Sequence, residues 1–234
     1  ELIVNKEEKL IKVNINNINQ KVLINKSSIK GWNFVINSNI TPSKKELNSR
    51  HDENLLTGLF TINQSLIEDI DISLNGSSLE DSLNIISTEG SINNLVVDNS
   101  AYDAIDFDFS KISVNNIIVI NAGNDCIDFS GGKYNIKSAS IINCLDKGIS
   151  LGEASKLVID KLNVSESNIG VVSKDSSNLI IKSGIANKNN LCISAYRKKQ
   201  EFNGATIEIP YNFCDKKNIL IQKNSKYIQN DSKN

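Results

Sequence analysis

Asp103, Asp106, Asp108, Asp125 and Asp128 are the residues of this chain whose types and spacing invite chemistry, and the cations Lys147, Lys174, Arg197 and Lys198 follow them. Asp103 and Asp125 are separated by 22 residues, as are Asp106 and Asp128, and Asp125 and Lys147. Carboxylates held in such pairs have three uses. They can accept hydrogen bonds from turn amides and face water, where their repulsion is small. They can share a hard cation, for which calcium is the natural choice, with Asp106, Asp108 and Asp128 as oxygen ligands. Or one carboxyl can keep its proton and act as an acid beside an ionised partner, the logic of glycoside chemistry.

The same interval governs the elements that must position them. Leu83, Ile105, Ile127, Ile149, Val171 and Ile193 form an apolar series spaced by 22 residues, each preceded by a small residue: Ser82, Ala104, Cys126, Gly148, Gly170 and Cys192. A fixed register of small, apolar and polar positions makes each repeat one coil of a stacked solenoid. Ile105-Asp106-Phe107-Asp108-Phe109 and Ile127-Asp128-Phe129 alternate with period two and are rich in β-branched and aromatic residues, so they read as strands. A second apolar run in each repeat, such as Val114 with Ile117 and Val119, supplies another strand, and Asn121-Ala122-Gly123-Asn124 and Gly131-Gly132 mark corners. A leucine-rich solenoid has repeats near this length but returns through a helix or an irregular segment. Here the return alternates as a strand does. The expected fold is all-β, a right-handed parallel β-helix with turns of about 22 residues.

In that frame, alternation turns Ile105, Phe107 and Phe109 inward and Ala104, Asp106 and Asp108 outward. Stacking sets Asp106 over Asp128 and Asp103 over Asp125. Two carboxylates about 4.8 Å apart repel by roughly 1 kcal/mol in water and by about 3.5 kcal/mol at an effective dielectric of about 20. The Asp103/Asp125 row runs on to Lys147, and the Asp108 row runs through Ser130 and Gly152 to Lys174 and Tyr196. The small-residue series is placed to floor a groove open to a chain-like ligand. Carboxylates at one end and Lys174, Arg197, Lys198 and Lys199 at the other suit an acidic polysaccharide, with Tyr196 able to stack on a sugar ring.

Composition agrees with one stacked unit: 234 residues, 39% hydrophobic and a net charge of −1, which gives no global basic signal for nucleic acid. No apolar run approaches the ~20 residues a membrane helix needs. Residues 1–60 contain apolar runs without a clean register and read as an N-terminal cap with irregular first turns. Residues 61–223 form the regular β-helix, interrupted by an insertion loop at 196–206, and 224–234 reads as a frayed polar tail. With no Met and no secretory signal at its start, the chain reads as a mature protein or an excised domain. Cys126 and Cys192 share a repeat position three turns apart, roughly 14 Å, too far to pair. Cys144 and Cys214 have no obvious mate, so all four read as small buried thiols. The single His51 lies in a polar loop, which disfavours a His-based triad.

Tyr102-Asp103-Ala104-Ile105-Asp106, Gly123-Asn124-Asp125-Cys126-Ile127, Asp146-Lys147-Gly148-Ile149-Ser150-Leu151-Gly152 and Gly170-Val171-Val172-Ser173-Lys174 together resemble the pectin-lyase-like right-handed β-helix superfamily. Their order is similar to the polygalacturonase motifs Asn-Thr-Asp, Asp-Asp-Cys, Gly-His-Gly-Ile-Ser and Arg-Ile-Lys, over roughly residues 55–200. The resemblance implies Asp103 and Asp125 as acid/base carboxylates and Lys174 as a substrate-binding cation; the spacing itself adds Asp128, with Asp125 at the groove's centre, as a further catalytic candidate. The chain departs from those motifs at Asn124, at Lys147 where the family has a catalytic His, and at Ser173-Lys174, which lacks the preceding Arg. The sequence also resembles β-helix repeat domains of large bacterial secreted or surface proteins. Three readings follow: a hydrolase of an acidic glycan, a lyase in which Lys147, Lys174 or Arg197 is the base and the aspartates hold calcium, and a non-catalytic adhesin or tail-spike-like module flanked by other domains. Each is secreted or displayed at a cell surface.

Overall fold

A computed structural model describes residues 1–40, 51–215 and 218–230. The chain is a parallel β-solenoid of about ten turns, 66% strand and without a helix among the described residues. Each regular turn contributes one short and one long strand. The short strands Asp81–Ile86, Asp103–Asp108, Ile127–Ser130, Lys147–Gly152, Ile169–Lys174 and Leu191–Tyr196 stack in one sheet. The long strands Leu66–Ser77, Glu89–Ser100, Lys111–Ala122, Lys133–Cys144 and Lys156–Ser165 stack in the other. All these neighbours pair in parallel; the exception at the start is Leu2–Asn5, which lies antiparallel on Leu10–Ile15. In the expected tail, Lys226–Asn230 forms a strand paired with Thr206–Pro210.

The repeat is a statement about the core. Leu83, Ile105, Ile127, Ile149, Val171 and Ile193 are successive register partners and all are fully buried. Opposite them, the long strands contribute the rows Ile92–Val114–Ile136–Ile159 and Leu95–Ile117–Ala139–Leu162. Phe107 and Phe129 stack with centroids 5.1 Å apart, and Tyr134 tilts against both from the facing sheet. Only in-register stacking keeps such rows inside, because a slip by one residue would turn every apolar side chain to water.

The corners depart from simple alternation, and three expectations are corrected there. Phe109, expected inside, is 62% exposed. Its strand ends at Asp108, and it belongs to a left-handed corner column, Ser87, Phe109, Gly131, Glu153 and Asp175, with φ of +48°, +49°, +64°, +58° and +57°. The Phe109 ring lies against Gly131, where a Cβ would come within 2.5 Å of it.

The small-residue series does not floor an outward groove. Ala104, Cys126 and Cys192 are buried, and a Cβ on Gly148 would meet Val164 Cγ2 of a long strand at 2.4 Å. The series packs against the ends of the long strands and closes the corner.

The cysteines are not free thiols. Cys126 is bonded to Cys144, and Cys192 to Cys214. Cys144 ends the long strand that follows Cys126, so the first bridge closes an 18-residue coil and stabilises by roughly 3 kcal/mol on loop entropy. Two turns earlier the same seam is filled by Ser82 and Ser100, whose hydroxyls are 2.6 Å apart.

Candidate functional site

The outer side of the short-strand sheet carries two polar rows. The first is Asp81, Asp103, Asp125 and Lys147. The backbone N–H of Asp125 donates to Asp103 Oδ1 at 2.8 Å, and that of Lys147 to Asp125 Oδ1 at 3.1 Å, so Asp103 and Asp125 each cap the next coil, whereas the Asp103 N–H donates to the Glu80 carbonyl. Asn124 adds a side-chain amide to Asp103 Oδ1 at 2.7 Å. The Lys147 ammonium reaches both Asp125 oxygens, at 3.1 and 3.4 Å, and also Asp146. These carboxylates are nearly closed off: Asp81, Asp103 and Asp125 are 1%, 5% and 4% exposed.

The second row is Thr61, Asn84, Asp106, Asp128 and Ser150, consecutive register partners on five strands. Asp106 and Asp128 therefore stand on adjacent turns, as the spacing requires. Phe129 N–H donates to Asp128 Oδ1 at 3.0 Å, and Asn84 Nδ2 to Asp108 Oδ2 at 3.0 Å. Lys174 lies back across Gly152, donates to Ser150 Oγ at 2.8 Å and stands 3.6 Å from Asp128 Oδ1. A Cβ on Gly152 would come within 2.7 Å of the Lys174 stem, so the glycine makes that path.

Burial dominates the electrostatics. It pushes Asp103 up to about 7, with Asp125 adding to the rise and the Asp125 N–H and Asn124 opposing it. Burial likewise pushes Asp81 up to about 7, eased by the Thr57 hydroxyl and reinforced by Asp103, Glu80 and Asp108. Asp106 is raised by burial and then by Asp108, Asp81, Asp128 and Asp103. Asp125 is also raised by burial, against the pull of Lys147. Burial works against the Lys147 ammonium, but Asp125 and Asp146 outweigh it and hold its pKa above the usual lysine value.

Asp103, Asp125, Asp128, Lys147 and Lys174 are thus brought together. Tyr196 is half-buried near them; burial raises its hydroxyl pKa while Lys174 and Lys147 lower it. Arg197 and Lys198 are exposed, and neither side chain bonds to the acidic rows among the described residues. Their loop is held by its backbone: Arg197 N–H donates to Gln222, and the N–H groups of Lys198 and Lys199 to Asp175 Oδ1. Asp81 was missed as a site residue, although 81, 103 and 125 continue one register.

The three carboxylates expected to share calcium, Asp106, Asp108 and Asp128, have these surroundings. Asp108 accepts from Asn84, Asp128 faces Lys174, and no group of three His, Cys, Asp or Glu among the described residues is disposed to hold a metal. In the two rows, Thr61 Oγ1, Asn84 Oδ1, Asp106 Oδ1 and both carboxylate oxygens of Asp81 are buried without a hydrogen-bond partner. The class defined by fold and site is a parallel β-helix with a buried, partly protonated carboxylate row. No family model, no curated protein and no solved structure matches this chain.

Proposed function

We propose that this protein is an extracellular polysaccharide-interacting β-helix that acts on glycosidic bonds by acid–base chemistry at its short-strand face. The observation that carries the reading is Asp103, a carboxyl pushed up to about 7 by burial with Asp125 beside it, so that it keeps a proton near neutral pH. Asp103 donates that proton to the leaving sugar oxygen as the glycosidic bond breaks. Asp128, the more open carboxylate, takes a proton from the attacking water, whose oxygen bonds to the sugar carbon. Lys147 supports the charge of Asp125, and Lys174 fixes Asp128. The two disulfides suit an oxidising, extracellular compartment. The motif order resembling that of the pectin-lyase-like superfamily supports Asp103 as an acid/base carboxylate; it would give Asp125 the second role that Asp128 takes here, and the chain departs from it at Lys147, where that family has a His.

A second reading, the non-catalytic surface module, is favoured by one observation: the row is nearly closed to solvent and its cations are already paired. A reducing-end assay over a panel of neutral and acidic polysaccharides separates the two. Turnover by the natural chain that is abolished in Asp103→Asn and Asp125→Asn, with glycan affinity kept, is the expected result. Turnover unchanged in both variants overturns the assignment of Asp103 and Asp125, and turnover absent from every polysaccharide leaves the module.

A further inference from the structure

A cationic column stands on a different part of the coil. Lys111, Lys133 and Lys156 open three successive long strands and are register partners, so their exposed side chains repeat at about 4.8 Å. Stacked like charges repel, and the fold does little to relieve them. Lys111 has Glu89 at 4.0 Å, whereas neither Lys133 nor Lys156 forms an ion pair among the described residues. The column borders an open concavity of about 420 Å³ whose lining includes Phe109, Lys111, Gly131, Gly132, Lys133 and Glu153. Glu89 also lines it, beside Lys111, and Glu153 is paired with Lys199, which leaves Lys133 as the unpaired charge of the lining, with Lys156 next in the column.

Phe109 is the second observation. It projects from the corner with most of its ring in water, in a left-handed conformation that bulky side chains avoid. Gly131 on the next turn leaves room for the ring to lie flat against the corner, which fixes it beside Lys111 and Lys133. A rigid aromatic face next to evenly spaced ammonium groups matches the two surfaces of an anionic sugar: an apolar pyranose face and an equatorial acid group.

We propose that Phe109 with Lys111, Lys133 and Lys156 forms a binding site for an anionic glycan, carboxylated or sulfated, separate from the carboxylate rows. It goes beyond the acid–base reading and stands or falls independently of it. Calorimetry with oligogalacturonate, a heparin oligosaccharide and neutral maltohexaose tests it. The expected result is binding of one or both acidic oligomers but not of maltohexaose, weakened at least tenfold by Phe109→Asn, which keeps a residue tolerant of the corner conformation. Lys133→Gln with Lys156→Gln should weaken binding to the same degree and flatten its salt dependence. Preference for the uronate or the sulfated oligomer names the acid group. Equal binding of maltohexaose, affinity indifferent to both sets of variants, or no binding of either acidic oligomer overturns the site, while the turnover assay above decides the carboxylates separately.

Discussion

Two polar ladders climb this solenoid, and they are built on opposite principles. Asn75, Asn99, Asn121 and Asn143 form an exposed ladder at the end of the long strands, in which Asn99 donates to Asn75, Asn121 to Asn99 and Asn143 to Asn121, at 2.8–3.4 Å. An amide both donates and accepts, so identical residues satisfy one another rung after rung, and asparagine also tolerates the left-handed corner, with φ of +59° to +61° at Asn99, Asn121 and Asn143. Asp81, Asp103 and Asp125 occupy equivalent positions on successive turns of the other sheet, but an ionised carboxylate only accepts. Their ladder is completed by backbone amides, by Lys147 and by retained protons. A fold that already owns a self-satisfying ladder does not need a buried acidic one for stacking. The carboxylates are a local conflict with stability, which is where function is expected.

The largest effect that distinguishes the ladders comes from cutting a rung. Asp125→Ala leaves the Lys147 ammonium half-buried with only Asp146, and it removes the acceptor of the Lys147 N–H. The loss expected is about 3 kcal/mol, the lower end of what breaking a buried pair costs, because Asp146 remains. Urea midpoints measure it. A loss below about 1 kcal/mol would mean that the acidic row is as loosely coupled to the fold as the asparagine ladder.

Titration is the next distinction. Asp81 and Asp103 sit at about 7 in the fold against roughly 3.9 in an unfolded chain, so between those values the native state holds protons that the unfolded state has released. Stability from these groups is therefore fully present below about pH 4 and is lost as pH rises through 7. The decline between pH 5 and 8 is expected to be on the order of 2 kcal/mol for each of the two carboxyls, and Asp81→Asn should remove its share. Asn121 and its neighbours contribute nothing to this slope. A midpoint that rises over the same range would show both carboxyls ionised in the fold and would remove the proton donor from the proposed mechanism.

How much of this could be read in advance follows from where each residue sits on the coil. The apolar anchors from Leu83 to Ile193 were legible, since burial of one row demands a constant interval. The pairing of Asp106 with Asp128 followed from the same interval. Phe109 was not legible, because alternation places it inside and only the corner's left-handed backbone turns it out. The disulfides were missed by comparing cysteines at one repeat position. The useful interval was 18 for the first, where Ser82 meets Ser100 and Cys126 meets Cys144 across the same seam, and 22 for Cys192 with Cys214. Lys147 and Lys174 were expected to face a ligand, yet composition does not say which way a lysine lies, and both fold back onto aspartates.

The smallest effects sharpen the comparison most. Asn121→Gly removes the amide without penalising the corner, where φ is +61°, and should cost no more than about 1 kcal/mol because its hydrogen bonds are exposed. Asn121→Asp then places a carboxylate in the same rung, next to Asp98, which Asn121 now meets at 3.3 Å. If stacking alone raised carboxyl pKa values, Asp at 121 would titrate near Asp103. Burial leads the shift at Asp103, and position 121 is exposed, so the new carboxyl should titrate in the ordinary range near 4, with a penalty below about 1 kcal/mol that shrinks in salt. Carbon-detected NMR titration of the variant reads both carboxyls in one sample. Equal values would move the origin of the Asp103 shift from burial to the ladder itself.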